Sequence, residues 1–152
     1  MSAIVLDDEE ATRALGARVG AVLVAGDLVI LDGPLGAGKT TFAQGVGAAL
    51  GVPTPVRSPT YTIADLHDGG RVPFVHVDAY RLGSAGELDD IDLPTDTAVT
   101  VVEWGVGRAE QLADAHVLVR LDRPQDADVR TCTIEIVGDG ALRVRLKAAG
   151  LT

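Results

Sequence analysis

The chain has 152 residues, of which 47% are hydrophobic and 23% are charged, and its net charge is −9. This length is typical of one domain, and the composition excludes a disordered chain, a collagen-like repeat and a disulfide scaffold, since Cys132 is the only cysteine. The negative charge disfavours direct, high-affinity binding to a nucleic acid backbone. We therefore predict a single domain over residues 1–152.

The N-terminal segment predicts a cytoplasmic protein. Acidic residues occupy Asp7–Glu10, where a secretory signal peptide would have basic residues followed by an apolar stretch. No apolar run in the sequence reaches the ~18 residues that a membrane span needs. We therefore expect no association with a membrane.

The first third of the chain has the pattern helix, strand, glycine-rich turn, helix. Apolar residues recur at helical spacing over residues 8–24, after an acidic first turn. Leu28–Leu31 is a continuous apolar run, as expected of a parallel strand that is buried on both faces. Helical spacing resumes over residues 39–50, where a glycine and a proline follow. The glycine-rich run 45–51 lies inside this helix with the wrong spacing for a dinucleotide-binding loop, so it predicts close helix packing.

The rest of the chain is rich in strand patterns. Residues 61–66 and 74–78 flank a glycine turn and predict an antiparallel hairpin, and Ser84 with Glu87 predicts a capping box at the start of a short acidic helix. The remaining patterns predict a strand at 98–102, a helix near 107–113, and strands at 116–121, 131–137 and 142–146. A parallel strand and a hairpin together predict an α/β fold with a mixed, partly antiparallel central sheet.

The turn between the first strand and the second helix matches a phosphate-binding motif. Residues 33–40 read Gly-Pro-Leu-Gly-Ala-Gly-Lys-Thr, which fits G-x-x-x-x-G-K-[ST] in its required place between a strand and a helix. Glycines let backbone N–H groups turn toward a β-phosphate, and the helix N-terminus adds the positive end of its dipole. In this motif Lys39 reaches the β- and γ-phosphates, and Thr40 offers a hydroxyl to Mg²⁺. The sequence therefore predicts a P-loop domain.

Two carboxylates are candidates to complete this site. Asp78 and Glu103 each end a predicted buried strand, where a side chain can point into the nucleotide crevice. Either can be the second metal ligand or the group that positions water, and the sequence leaves the choice open.

Other polar and aromatic residues keep two interpretations. Ser58 and Thr60 follow the P-loop helix, where nucleotide-sensing loops often lie, but an ordinary turn explains them equally well. Trp104 has three interpretations: packing on the nucleotide, packing on a partner protein, or packing in the core. His67 and His76 lie in strand patterns and are interpreted as hydrogen-bonded strand residues.

Five strings in this order resemble the bacterial TsaE (formerly YjeE) ATPase family. They are residues 8–12 with Leu15-Gly16, residues 35–42, residues 56–61, residues 76–82 and residues 102–104. The strings cover most of the chain. Two features depart from the family: Gly105-Val106-Gly107 stands where many members have proline, and the tail beyond Arg123 has no matching string.

The resemblance implies a compact, three-layer fold of the P-loop NTPase type with a mixed sheet. It also implies that ATP hydrolysis supports a partner pair, TsaB and TsaD, which transfers threonylcarbamoyl to adenosine in tRNAs that read codons beginning with adenine. The tRNA would be reached only through that complex.

The resemblance also assigns site residues. It implies that Thr40 and Glu103 bind Mg²⁺, and that Asp78 positions or activates water or acts as an outer-shell acid of the metal. Lys39, Asp78 and Glu103 are then the catalytic candidates. The candidates for binding ATP are Glu9, Thr12, Gly33, Leu35, Gly36, Ala37, Gly38, Lys39, Thr40, Thr41 and Trp104.

Two other functions fit a short P-loop chain. A small kinase would start with the same strand, loop and helix, but would add an arginine-rich lid and an acceptor pocket. A docking module would use its nucleotide state to control partner binding, with hydrolysis incidental.

Overall fold

Seven strands and four α-helices form the part of the chain that the computed structural model describes, which is residues 3–59 and 62–152. In chain order the elements are β1 (Ile4–Leu6), α1 (Glu9–Gly20), β2 (Leu28–Asp32), α2 (Lys39–Ala49), β3 (Ala64–His67), β4 (Phe74–Asp78), α3 (Ala85–Asp89), β5 (Val99–Glu103), β6 (His116–Asp122), β7 (Arg130–Val137) and α4 (Ala141–Ala148). Two short 3₁₀ turns occupy Glu110–Leu112 and Pro124–Asp126. None of the helices in these two segments is long and apolar enough to cross a membrane.

The strands form one mixed sheet in the order β1-β7-β6-β2-β5-β4-β3. Strand β2 lies between two parallel neighbours, β5 and β6, and β4 runs parallel to β5. The pairs β3–β4, β6–β7 and β1–β7 are antiparallel. The prediction of a mixed, partly antiparallel sheet is therefore confirmed.

Buried apolar residues form two clusters, one on each face of the sheet. One cluster joins the sheet to α1, α2 and α4 through residues such as Leu15, Phe42 and Leu146. The other joins it to α3 through Leu88, which lies in the same buried cluster as Ile30 of β2. Helices on both faces of a sheet make three layers, as the resemblance implied.

Helices α1 and α2 cross with their backbones in contact. A methyl group added to Gly45 would lie 2.0 Å from the carbonyl oxygen of Arg13, and one added to Gly16 would lie 2.2 Å from that of Phe42. Because a β-carbon cannot occupy either position, glycine is required at both. The glycine-rich run in α2 is thus a packing feature, as the sequence predicted.

The strand predicted at 142–146 is wrong, because these residues belong to α4. Leu142 and Leu146 are one helical turn apart and both buried, whereas Val144 between them is 67% exposed. Arg145 on the same helix forms a bidentate ion pair with Asp27, with N–O distances of 2.7 and 3.0 Å. A run of five alternating residues fits both the two-residue period of a strand and the period of a helix. The helix is formed here because it buries both leucines and lets Arg145 pair with Asp27.

Smaller differences concern the ends of elements. The hairpin strand begins at Ala64, since Ile63 has a φ of 68° and its N–H donates to the carbonyl of Pro59 rather than to a strand. Tyr61, predicted to start that strand, lies outside the described residues. The first helix ends at Gly20, the helix predicted near 107–113 is the 3₁₀ turn at Glu110, and the three-residue β1 had no prediction.

Cys132 lies in the core on β7, and it gives a direct test of this packing. Burial raises the pKa of its thiol to about 12, so the thiolate population at pH 8 is about a thousandfold lower than that of an exposed cysteine. We expect almost no reaction with Ellman's reagent in the native protein and one rapid equivalent in denaturant. Rapid native labelling would contradict the buried position of β7.

Candidate functional site

A cleft of about 620 Å³ opens at the carboxyl ends of β2, β4 and β5. Its lining residues are Glu9, Leu35, Gly36, Gly38, Lys39, Thr40, Thr41, Ser58, Asp78, Tyr80, Glu103, Trp104, Arg123 and Arg130. Ligands of α/β proteins bind in such crevices at the carboxyl ends of parallel strands.

The floor of the cleft is the loop between β2 and α2. Gly33 has a φ of 151°, and a β-carbon there would lie 2.3 Å from the carbonyl oxygen of Leu121. Gly38 is the N-cap of α2, with a φ of 108°, and no side chain of the described residues caps this helix. The first N–H groups of α2 therefore have no side-chain acceptor, which suits an anion such as a phosphate.

Lys39 lies inside this loop and is only 4% exposed. Its Nζ donates to the carbonyls of Gly33 at 2.6 Å and Pro34 at 2.8 Å, and lies 3.8 Å from the centre of the Trp104 ring. Burial lowers the pKa of Lys39, and the negative charges of Glu103, Asp32 and Asp78 oppose that shift. The loop thus holds a cation where phosphate oxygens would lie.

Thr40 and Glu103 meet at the edge of the cleft on the β5 side. The Thr40 hydroxyl lies 3.0 Å from each carboxylate oxygen of Glu103, and Glu103 is buried. A hydroxyl and a carboxylate are oxygen ligands of the kind that Mg²⁺ takes from proteins, with water filling its other positions. These two residues therefore fit a magnesium ion.

His76 holds Glu103 from behind. The Nε2 of His76 lies 2.6 Å from Oε2 of Glu103, and the imidazole is fully buried, with no hydrogen-bond partner for its Nδ1 in the described part of the chain. Since the carboxylate accepts, Nε2 carries the proton and fixes the orientation of Glu103. The sequence interpretation of His76 as a strand residue missed this contact.

Asp78 occupies a different position from Glu103, although the two residues are directly paired in the sheet. Its carboxylate accepts from the Ser58 hydroxyl at 3.3 Å and from the Tyr80 backbone N–H at 3.0 Å. Asp78 is also less buried than Glu103. Ser58 is thus brought to an acid of the site, whereas Thr60 lies outside the described residues.

Trp104 lines the cleft, and its backbone has a φ of 61°. A left-handed conformation is uncommon for a bulky residue and is often found at functional sites. The ring lies 5.0 Å from that of Tyr80, in addition to its contact with Lys39. Of the three interpretations open for Trp104, this position favours a contact with the ligand.

Most residues named from the sequence come together here. Thr12, Gly33 and Ala37 are the ones that do not line the cleft, and Thr12 and Ala37 are buried behind it. The residues that sequence reasoning missed are Tyr80, Arg123 and Arg130. A signal for Arg130 exists, because it is in phase with Cys132 and Ile134 on the buried face of β7.

Comparisons with known proteins identify the family of this chain. The family model for "Threonylcarbamoyl adenosine biosynthesis protein TsaE" matches residues 6–132. A TsaE protein of Mycobacterium leprae is 48% identical over 142 residues, covering 86% of this chain and 88% of the relative, and one of Streptomyces coelicolor is 47% identical, covering 84% and 91%. A crystal structure of YdiB from Bacillus subtilis superposes with a TM-score of 0.79 at 27% identity, covering 98% of this chain and 93% of the other. The chain therefore belongs to the TsaE family.

Proposed function

We propose that this protein is a Mg²⁺-dependent ATPase that supports threonylcarbamoyladenosine formation in tRNAs reading codons that begin with adenine, together with TsaB and TsaD. Its relatives are named for the biosynthesis of this modified nucleoside. The observation that carries the proposal is the convergence of Lys39, Thr40 and Glu103 around the uncapped N-terminus of α2.

One group of site residues binds the phosphates, and another group binds the metal ion. The backbone N–H groups at the start of α2 and the Lys39 ammonium bind phosphate oxygens, and Thr40 and Glu103 hold the metal ion. When bound, Mg²⁺ neutralises charge on the β- and γ-phosphates. His76 keeps Glu103 in place, and Asp78, with its carboxylate on the open side of the cleft, orients a water molecule toward the γ-phosphate.

Charge supports an indirect relation to tRNA. The net charge of −9 repels phosphodiester backbone, so we propose that tRNA is reached through the partner proteins.

A docking module controlled by nucleotide is the second candidate, because apolar side chains are exposed at the rim of the cleft. Leu35, at the tip of the P-loop, is 88% exposed, and Tyr80 is 65% exposed. A partner that covers these residues would also cover the nucleotide.

The first experiment measures Mg²⁺-dependent ATP turnover by the purified protein, alone and with its cognate TsaB–TsaD pair. We expect weak turnover alone, a rise with the pair, and at least about a hundredfold loss in Lys39→Ala, because the phosphates lose their buried cation. The matched control is Lys147→Ala, which changes the only other lysine, exposed on α4.

Three results would change the proposal. Turnover that ignores the pair would contradict coupling to it, and turnover that survives in Lys39→Ala would contradict the P-loop site. Nucleotide-dependent binding of the pair without any rise in turnover would favour the docking module.

A further inference from the structure

Arg130 is a buried arginine without an acidic partner among the residues that the structure describes. It begins β7, lines the cleft and is 6% exposed. One guanidinium nitrogen, Nη1, donates to the Asp128 carbonyl at 2.7 Å, whereas Nε is buried and has no acceptor within residues 3–59 and 62–152. The ion pairs of the described residues do not include Arg130.

Several other charged groups of the described residues form ion pairs. Glu9 and Glu10 at the start of α1 both bond to Arg13. Arg145, which is also partly buried, has a carboxylate partner in Asp27. A buried cation needs such a partner, because burial alone strongly disfavours its charge. Arg130 thus lacks the carboxylate partner that Arg145 has in Asp27.

The position of Arg130 beside a helix N-terminus disfavours its positive charge further. A β-carbon on Gly38 would lie 3.4 Å from Nε of Arg130, so the guanidinium packs against the N-cap of α2. The helix dipole places positive charge at that end, and a cation there is disfavoured. Two positive groups therefore face the same part of the cleft, and a bound anion would relieve both.

The sheet order indicates which part of a nucleotide would supply the anion. Glu103 and Asp78 end β5 and β4 on one side of β2, whereas Arg130 begins β7 on the other side. If the β- and γ-phosphates face the metal ligands, the α-phosphate and the nucleoside lie on the side of Arg130. We infer that Arg130 binds the α-phosphate of the nucleotide through its guanidinium group, an inference that rests on the proposed function.

The test is calorimetric titration of the full chain with ADP and Mg²⁺, comparing Arg130→Met with the matched control Arg120→Met, an exposed arginine on β6. Arg130→Met should bind ADP about 10- to 100-fold more weakly, as expected for losing a hydrogen bond between charged groups, while the control binds normally. Without ligand, the melting temperature of Arg130→Met should equal or exceed that of the wild type, because an unpaired buried cation is removed.

Phosphorus NMR of bound ADP locates the contact. Arg130→Lys should shift the α-phosphorus resonance and leave the β-phosphorus resonance in place. A shift of the β-phosphorus alone would overturn the assignment to the α-phosphate.

The remaining outcomes separate this inference from the function. Wild-type protein that binds ADP, with Arg130→Met binding equally well, would overturn the inference and leave the proposed function standing. A lower melting temperature in Arg130→Met with unchanged ADP affinity would show a structural role and also overturn it. Failure of the wild type to bind ADP would overturn both.

Discussion

Replacing Glu103 by glutamine should lower Mg²⁺-dependent ATP turnover by at least about a hundredfold. The amide has no charge and one oxygen, so the Thr40 hydroxyl and the His76 Nε2–H lose the carboxylate that both contact. Under the proposed function, the metal ion would then lose its anionic protein ligand. Turnover at saturating ATP over a series of Mg²⁺ concentrations measures the loss, and we expect the half-maximal Mg²⁺ concentration to rise.

Asp78→Asn is the matched control for the division of roles, because Asp78 and Glu103 are paired in the sheet and both end buried strands. We expect Asp78→Asn to lower turnover without moving the half-maximal Mg²⁺ concentration, since its carboxylate contacts Ser58 rather than Thr40. The reverse pattern would make Asp78 the metal ligand.

Local signals made the centre of the site predictable. Glycine spacing, Lys39 and Thr40 belong to one string of eight residues, so the turn and the start of α2 follow from the sequence. The two acids could be placed at the same edge because each follows an apolar strand pattern. The roles of these residues stay predictions, although the structure brings them into one cleft.

The contacts that sequence reasoning missed join distant parts of the chain. His76 on β4 and Glu103 on the neighbouring strand β5 are 27 residues apart in sequence. The register between β4 and β5 decides which side chain of β4 lies beside Glu103, and no local sequence pattern determines that register. Arg130 lies one residue before the strand predicted at 131–137, and its neighbour Gly38, the N-cap of α2, is far away in sequence.

The wrong prediction of a strand at residues 142–146 also arises from contacts between distant parts of the chain. The mixed sheet was predictable because β2 and the hairpin carry strong patterns, whereas residues 142–146 are too few to distinguish alternation from a helical turn. The ion pair between Arg145 and Asp27 and the burial of Leu142 and Leu146 favour the helix, and these contacts exist only in the folded chain.

Gly45→Ala should lower the free energy of unfolding by about 3 kcal/mol or more, the largest effect we expect from adding one methyl group. The new β-carbon would lie 2.0 Å from the Arg13 carbonyl oxygen and 2.9 Å from the Ala17 nitrogen, and both atoms belong to the backbone of α1. Rotation of a side chain cannot relieve this clash, so the helices must move apart. Urea denaturation followed by circular dichroism measures the change.

Gly86→Ala is the matched control, since the same substitution in α3 meets no atom closer than the Ser84 hydroxyl at 3.7 Å. There we expect stability to rise by about 0.5–1 kcal/mol, because alanine favours the helix. Equal effects at the two glycines would contradict the backbone contact between α1 and α2. Because α2 begins at Lys39, the shift that relieves Gly45→Ala also moves the P-loop lysine, so the folded fraction of this variant should bind ADP more weakly than wild type.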